Sequence, residues 1–324
     1  MAMSDLGKLV GFYARFTPNY SRIGYLARRT LWPAFNPDYT GQCWLVTGAS
    51  GGIGAAIVAG AAAAGASVLA VARSSDKLND ALSGLPAAAA QRVTNLVCDL
   101  GSVGAIDNLL TTLATDGKPI DVLINNVGVL FHDMELTAEG LETTYATNLL
   151  GHYQLTEGLL NKSLFAQKAA IINMASGGLY TVPQNTNLLN MTDPQRFVGK
   201  HTYGSHKRAQ VALSGLWDAR LRAVGGRSYV MHPGWARTEG VKKALPVFYK
   251  LQGLILRTSA EGADTALWLA AERPNDSGRN IWFDRAVRPQ HLFPHTHKPQ
   301  CTDEELVAYL EADLARVRGQ TCQP

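Results

Sequence analysis

The sequence predicts one doubly wound α/β domain with a mainly parallel sheet of about seven strands. Three observations predict it. A short apolar run, Gln42–Val46, is followed at once by Thr47-Gly48-Ala49-Ser50-Gly51-Gly52-Ile53-Gly54. An almost unbroken Ala/Ile/Val stretch, Ala55 to Ala64, comes next and suits a buried helix. A second apolar run, Ser67 to Ala72, then returns as a strand. This is a strand-turn-helix-strand unit with the glycines where the first strand meets the first helix.

The later strands follow the same pattern. Apolar runs near Arg92 to Cys98, Asp121 to Ile124, Ala169 to Met174 and Arg227 to His232 each end in a short polar or glycine-bearing segment. A chain of 324 residues is compatible with one α/β domain of this size. The division expected is a helical extension at 1–40, a catalytic unit at 41–290 and a C-terminal extension at 291–324 containing a helix. Thr302-Asp303-Glu304-Glu305 has the form of a capping box that opens that helix, which should run to about Arg318.

The glycine turn has a chemical use. Glycine lets a backbone approach a pyrophosphate closely, and the following helix N-terminus offers free N–H groups and a positive dipole end. A dinucleotide is the expected ligand, held at Gly48, Ser50, Gly52, Ile53 and Gly54. The second strand ends in Arg73 where an acidic residue would bond an NAD ribose. A guanidinium there matches a 2′-phosphate by charge and shape, so NADP is expected over NAD. The bland alternative leaves Arg73 stacked on adenine or in solvent.

Tyr203 and Lys207 stand four residues apart, about one helical turn, and so share a helix face. A nearby ammonium favours a phenolate, which suits the pair to giving or taking a proton. Alone the spacing is weak, because Y-x-x-x-K arises by chance on many helices.

The combined pattern resembles the classical short-chain dehydrogenases/reductases over about Gln42 to Phe283. The glycine spacing is T-G-x-x-x-G-x-G, and Ala55 stands where the family's epimerase branch wants glycine. Asn125-Asn126-Val127-Gly128 is similar to the family's N-N-A-G. Pro233-Gly234-Trp235-Ala236-Arg237-Thr238 fits its P-G-x-x-x-T. The resemblance implies that Asp99 and Leu100 lie at the adenine, that Asn126, Gly128, Pro233, Gly234 and Thr238 border the cofactor, and that Asn148, Ser176, Tyr203 and Lys207 form a catalytic tetrad. Tyr203 and Lys207 also contact the cofactor in that scheme, and Asn148 supports Lys207 through a water. Several second-half segments, His232-Pro233-Gly234-Trp235 among them, look like a narrower subgroup of the family with bacterial members. Arg237 departs from that subgroup's usual Asp.

The resemblance implies an oxidoreductase interconverting a small-molecule carbonyl and alcohol by hydride transfer. The alternatives are a dinucleotide sensor or scaffold without turnover, and a membrane-surface enzyme acting on lipid carbonyls. Composition narrows the setting. The net charge of +4 is small and no basic stripe carries interleaved aromatics, so no nucleic-acid partner is expected. Four cysteines without C-x-x-C spacing point to a reducing cytoplasm. Met1 to Asp5 does not have the form of a secretory signal. His291, His295 and His297 form a metal-like cluster, but without a Cys or carboxylate of suitable spacing no metal is expected.

Two stretches exceed the family pattern. In the lead-in, Lys8, Arg15, Arg22 and Arg29 recur every seven residues beside an apolar stripe of Leu6, Leu9, Tyr13, Phe16, Tyr20 and Ile23. One or two amphipathic helices are expected, interrupted around Pro18. They would either touch a membrane surface through residues 1–36 or pack on the core or a second subunit in a homo-oligomer. Packing is the favoured outcome. The second stretch, Val182 to Lys200, is loop-like, and its tethers at Ser176 and Tyr203 point to a lid or pocket wall.

Overall fold

The computed structural model describes residues 16–321. Eight strands form one sheet: β1 (Cys43–Thr47), β2 (Ser67–Ala72), β3 (Val93–Val97), β4 (Ile120–Asn125), β5 (Phe165–Met174), β6 (Arg227–Met231), β7 (Ile281–Phe283) and β8 (Ala286–Arg288). Their order is β3-β2-β1-β4-β5-β6-β7-β8. All neighbours are parallel except β7 and β8. The strand beyond the expected seven is β8, a three-residue return that pairs Phe283 with Ala286. Two residues at positive φ, Asp284 and Arg285, make that tight hairpin.

The strand order reverses between β1 and β4, and ligands of such sheets bind beyond the strand ends at this point. β1 is buried at every position because helices cover both sheet faces. On one face the alanine-rich helix Gly52–Ala63 lies against Ser259–Glu272, enclosing Val46, Ile57, Ala61, Ala266 and Leu269. On the other lie Val103–Asp116, a helical stretch over residues 143–161, Gly199–Arg222 and the last helix, Asp303–Thr321. The capping box of that last helix is formed: Thr302 N–H donates to Glu305 Oε2 and Glu305 N–H to Thr302 Oγ1. Leu306, Leu310, Leu314 and Val317 then seat it on the core.

The described part of the lead-in packs on the protein. Residues 16–20 are helical, and a second helix spans Arg22–Arg29. The interruption falls at Ser21, which is extended, and not at Pro18. The physical reason is a buried cation. Arg257 donates to the carbonyl oxygens of Asn19, Tyr20 and Ser21, and the Tyr20 carbonyl also accepts Trp235 N–H, so the Asn19 and Tyr20 carbonyls turn inward while Ser21 opens the next helix. Arg257 also forms a two-point pair with Asp284 at 2.6 and 2.9 Å. Of the basic heptad, Arg22 pairs with Glu261 at 2.8 Å. Lys8, Arg15, Leu6, Leu9 and Tyr13 lie outside the described residues, as does Cys322. Among the described residues no helix is long and apolar enough to cross a membrane.

Candidate active site

The glycine turn leaves no room for side chains at Gly48 and Gly54. Gly48 has φ of 68°, in the left-handed region. A Cβ on Gly54 would lie 2.1 Å from the Gly48 carbonyl oxygen and 2.6 Å from Nδ2 of Asn126. The side chain of Asn126 pins the turn from below, donating to the carbonyls of Thr47 at 2.8 Å and Gly48 at 3.3 Å. Asn126 therefore acts on the shape of the cradle. Thr238 meets the turn from the other side: a Cβ on Gly52 would be 3.0 Å from its Cγ2. Its hydroxyl caps the helix Glu239–Ala244 by accepting from Val241 N–H.

At the far end of β2, Arg73 is exposed and makes no hydrogen bond or ion pair with the described residues. Asp99 is exposed at the end of β3 and accepts from Gly101 N–H at 2.9 Å, whereas the Leu100 side chain is buried in the core. Gly128 is exposed, and a Cβ there would stand 3.7 Å from Nζ of Lys207. Gly234, at φ of 75°, lies against the Arg257 guanidinium, which also reaches the Pro233 carbonyl at 3.5 Å. Ser50 and Ile53 belong to the turn and the first turn of its helix.

Ser176 follows the end of β5 and lies beside the phenol of Tyr203 on the helix Gly199–Arg222. Burial pushes the Tyr203 phenol above its ordinary value, and the neighbouring Ser176 hydroxyl works against that rise. Lys207 is buried, with Nζ 5.8 Å from the centre of the Tyr203 ring. Burial lowers Lys207 to about 7. Two of its three ammonium hydrogens are placed: Nζ donates to the Met174 carbonyl at 2.7 Å and to Oε1 of Gln210 at 3.1 Å. Phenol, serine hydroxyl and lysine thus meet where β5 and this helix face β4.

Asn148 sits in a π-helical segment, Ala146–Leu150, a local irregularity that frequently marks functional sites. Its side chain is committed to Val129, accepting from the N–H at 2.8 Å and donating to the carbonyl at 2.7 Å. Its main-chain oxygen accepts from Nε2 of Gln210 at 2.7 Å. The Gln210 amide thus bridges the Asn148 main chain and Lys207. The same Nε2 lies 2.9 Å from Nδ1 of His152.

Sequence reasoning missed Gln210, His152 and Tyr20. Gln210 had a signal, since it is three residues beyond Lys207 and seven beyond Tyr203 on one helix face. His152 had the matching signal, four residues beyond Asn148. Tyr20 had none within the site motifs. Its ring stacks on Phe283 at 4.8 Å, meets His232 edge-on at 4.8 Å and lies 5.9 Å from Trp235, and its phenol neighbours that of Tyr180. Tyr180 is four residues beyond Ser176, so the lead-in reaches the loop after the serine.

The long segment after Ser176 is partly anchored. Gln184 donates to Cys301 O, Thr302 O and Asp303, Asn185 to Gln300, and Asn190 to Asp313. These tie its first half to the C-terminal extension. Residues 192–196 are exposed. In the histidine cluster, His291 and His297 stack at 4.4 Å and His295 bonds the Thr181 carbonyl. Among the described residues no three His, Cys, Asp or Glu side chains are grouped to hold a metal ion.

The sheet order, the glycine cradle at the switch point and the Ser-Tyr-Lys cluster define a nucleotide-dependent oxidoreductase of the short-chain type. The family profile described as short chain dehydrogenase matches residues 42–187. Dehydrogenase/reductase SDR family member 12 of Homo sapiens is 33% identical over 318 residues, 96% of this chain and 99% of that protein. The Bos taurus protein of the same name is 32% identical over 325 residues, 96% of this chain and 98% of its own length. Among solved structures, a short chain dehydrogenase from Burkholderia cenocepacia in complex with NADP superposes with a TM-score of 0.60 at 20% identity, covering 75% of this chain and 96% of that one. The chain belongs to the short-chain dehydrogenase/reductase family and is similar along nearly its whole length to family member 12.

Proposed function

We propose that this protein is an NADP(H)-dependent reductase of a small-molecule carbonyl, working through Ser176, Tyr203, Lys207 and Asn148. The observation that carries the reading is the Tyr203 phenol set between Ser176 at a strand end and the buried Lys207, whose Nζ lies 5.8 Å from the Tyr203 ring centre. A dinucleotide fits the residues present. The cradle at Gly48 and Gly54 has no room for side chains, Lys207 keeps a third donor on the side of Gly128, and Arg73 is an unengaged cation at the end of β2. The nicotinamide, when bound, supplies the hydride. Ser176 and Tyr203 would hold the substrate oxygen as donors, and Tyr203 would give it a proton as negative charge develops. Lys207 would favour the phenolate left behind, because a neighbouring ammonium lowers a phenol's pKa.

The test is Tyr203→Phe, screened for NADPH consumption against steroid, retinoid, fatty-aldehyde, aromatic-ketone and quinone substrates. Turnover should fall roughly a hundredfold or more while NADPH still binds. Near-normal turnover in that variant would reject the assigned proton donor.

A second reading, attachment to an anionic lipid surface, has its own observation. Val247, Leu251 and Leu254 are 71, 68 and 93% exposed, beside the basic residues Lys242, Lys243 and Lys250. Ile23 and Leu26 on the lead-in helix are exposed too, and Arg22 N–H bonds Ile255 O close by. Aliphatic and basic side chains together suit a headgroup interface. Binding to phosphatidylserine vesicles that falls with salt would support it. A sensor or scaffold without turnover would instead bind NADPH and consume none with any carbonyl class.

A further inference from the structure

We infer that Gln210 is a positioning residue for Lys207, holding its ammonium between the Met174 carbonyl and the π-helical segment. This rests on the reading of Lys207 as part of the reaction machinery.

The hydrogen directions are forced. An ammonium can only donate, so Oε1 of Gln210 faces Lys207 at 3.1 Å. Nε2 is thereby turned the other way, where it has two hydrogens and two acceptors. One is the Asn148 main-chain oxygen at 2.7 Å. The other is Nδ1 of His152 at 2.9 Å, which must be unprotonated to accept. The His152 proton is then on Nε2, which lies 3.5 Å from Thr47 Oγ1. Thr47 Oγ1 in turn receives the N–H groups of Asn126 at 2.9 Å and Val127 at 3.2 Å and donates to Ile124 O at 3.0 Å. One amide therefore connects the lysine to the segment bearing Asn148 and to His152, whose ring lies beside the strand end that carries the glycine turn. Every group in this chain is buried or part-buried, so none can exchange its partner for bulk water without cost.

The surroundings leave the amide as the electrostatic partner that matters. On its own helix Lys207 faces Tyr203 and His206, and from the helical stretch 143–161 it faces Asn148 and His152. From β5 it faces Met174, and from the loop after β4, Gly128. Both histidines are held neutral by burial, and among the described residues no carboxylate pairs with Lys207. The charged amine is supported only by neutral oxygen acceptors, so removing one of them shifts it toward the neutral form. Substituting a carboxylate shifts it the other way.

The experiment uses full-length protein labelled with ¹⁵N-lysine, without cofactor, in wild type, Gln210→Met and Gln210→Glu, with Lys207→Met to assign the resonance. The Lys207 midpoint should fall by about one unit or more in Gln210→Met, which loses a hydrogen bond to a charged group, and rise in Gln210→Glu. A role in packing alone would lower stability in both variants without shifts of opposite sign. Midpoints that do not move, or that move the same way, overturn the proposal. If Gln210→Met does not fold, the expected rise in Gln210→Glu still decides. A kinetic arm separates this inference from the reading beneath it. With NADPH and a carbonyl that wild type reduces, kcat should drop roughly tenfold in Gln210→Met, in step with the lysine shift, with the carbonyl KM little changed. A wild-type protein that reduces no carbonyl would fail the functional reading and leave the lysine titration to stand or fall alone.

Discussion

Arg257 and Asp284 form a two-point ion pair, each 1% exposed, and the lead-in is fastened to it. Arg257 collects three lead-in carbonyls, and Arg28 reaches the same carboxylate through Nε at 2.7 Å. The pair also lies below the Phe283 ring that Tyr20 covers. Removing one partner leaves the other charged and buried, which typically costs about 3–5 kcal/mol. Asp284→Ala should therefore destabilise the protein by that order in urea denaturation and make the chain before Arg29 sensitive to protease. Replacing both partners, as Arg257→Met with Asp284→Leu, should cost less than the single change. A single variant as stable as wild type would show that the lead-in is held by something else.

The proposed preference for NADP(H) turns on Arg73. It is exposed at the end of β2 and engaged by no described residue, so its charge is available to a ligand. Arg73→Asp should weaken NADPH binding by roughly 1.5–3 kcal/mol, the worth of one charge-assisted hydrogen bond, and improve NADH. Paired titrations of both nucleotides measure this. A wild-type protein that binds NADH at least as well as NADPH would overturn the assignment before any variant is made.

Much of this was legible in the sequence because the relevant signals are local. Strand ends followed by Gly, Asn or Ser give the switch-point loops, and the i, i+4 spacing of Tyr203 and Lys207 gives a shared face. The groups that were not legible depend on contacts between distant segments. Nothing near Tyr20 indicates that it stacks on Phe283, 263 positions later. The break at Ser21 is imposed by Arg257, whereas Pro18 is tolerated within a helical stretch. The strand Ala286–Arg288 is too short for a periodicity to show. The Gln210 link needed two helices to be placed face to face, although each half of it had helical spacing.

Acid should unfold this protein earlier than its carboxylates alone would suggest. His152, His206 and His232 are buried and held near 3, 4 and 3. Burial is the first cause in each, joined by the Lys207 charge for His152 and His206 and by Arg257 for His232. An unfolded histidine titrates near ~6.5. Between that value and about 4 the unfolded chain binds more protons than the folded one, so their contribution is complete above about pH 6.5 and is lost as pH falls. Three such groups should cost on the order of 5 kcal/mol between about pH 7 and pH 5. Urea midpoints at both values, for wild type and His206→Gln, measure it. The variant should lose about a third of the pH dependence, and a wild-type midpoint unchanged between the two pH values would contradict the burial argument.

The segment after Ser176 should govern the substrate and not the nucleotide. Its first half is held by Gln184, Asn185 and Asn190 against the C-terminal extension, so deletions there would also damage folding. Residues 192–196 are exposed and lead into Gly199, where a Cβ would lie 1.9 Å from the Phe131 carbonyl. This end of the loop therefore abuts the chain leaving β4, a few residues beyond Gly128. The glycine turn, by contrast, is braced by Asn126 and Thr238. Replacing residues 192–196 with two glycines should change KM and the ranking of carbonyl substrates while NADPH affinity stays within about twofold, since no cradle contact is touched. Cofactor titration and substrate profile should be measured on the same variant. An unchanged profile would make the exposed half a surface excursion, and a lost NADPH affinity would mean that the loop reaches the cradle after all.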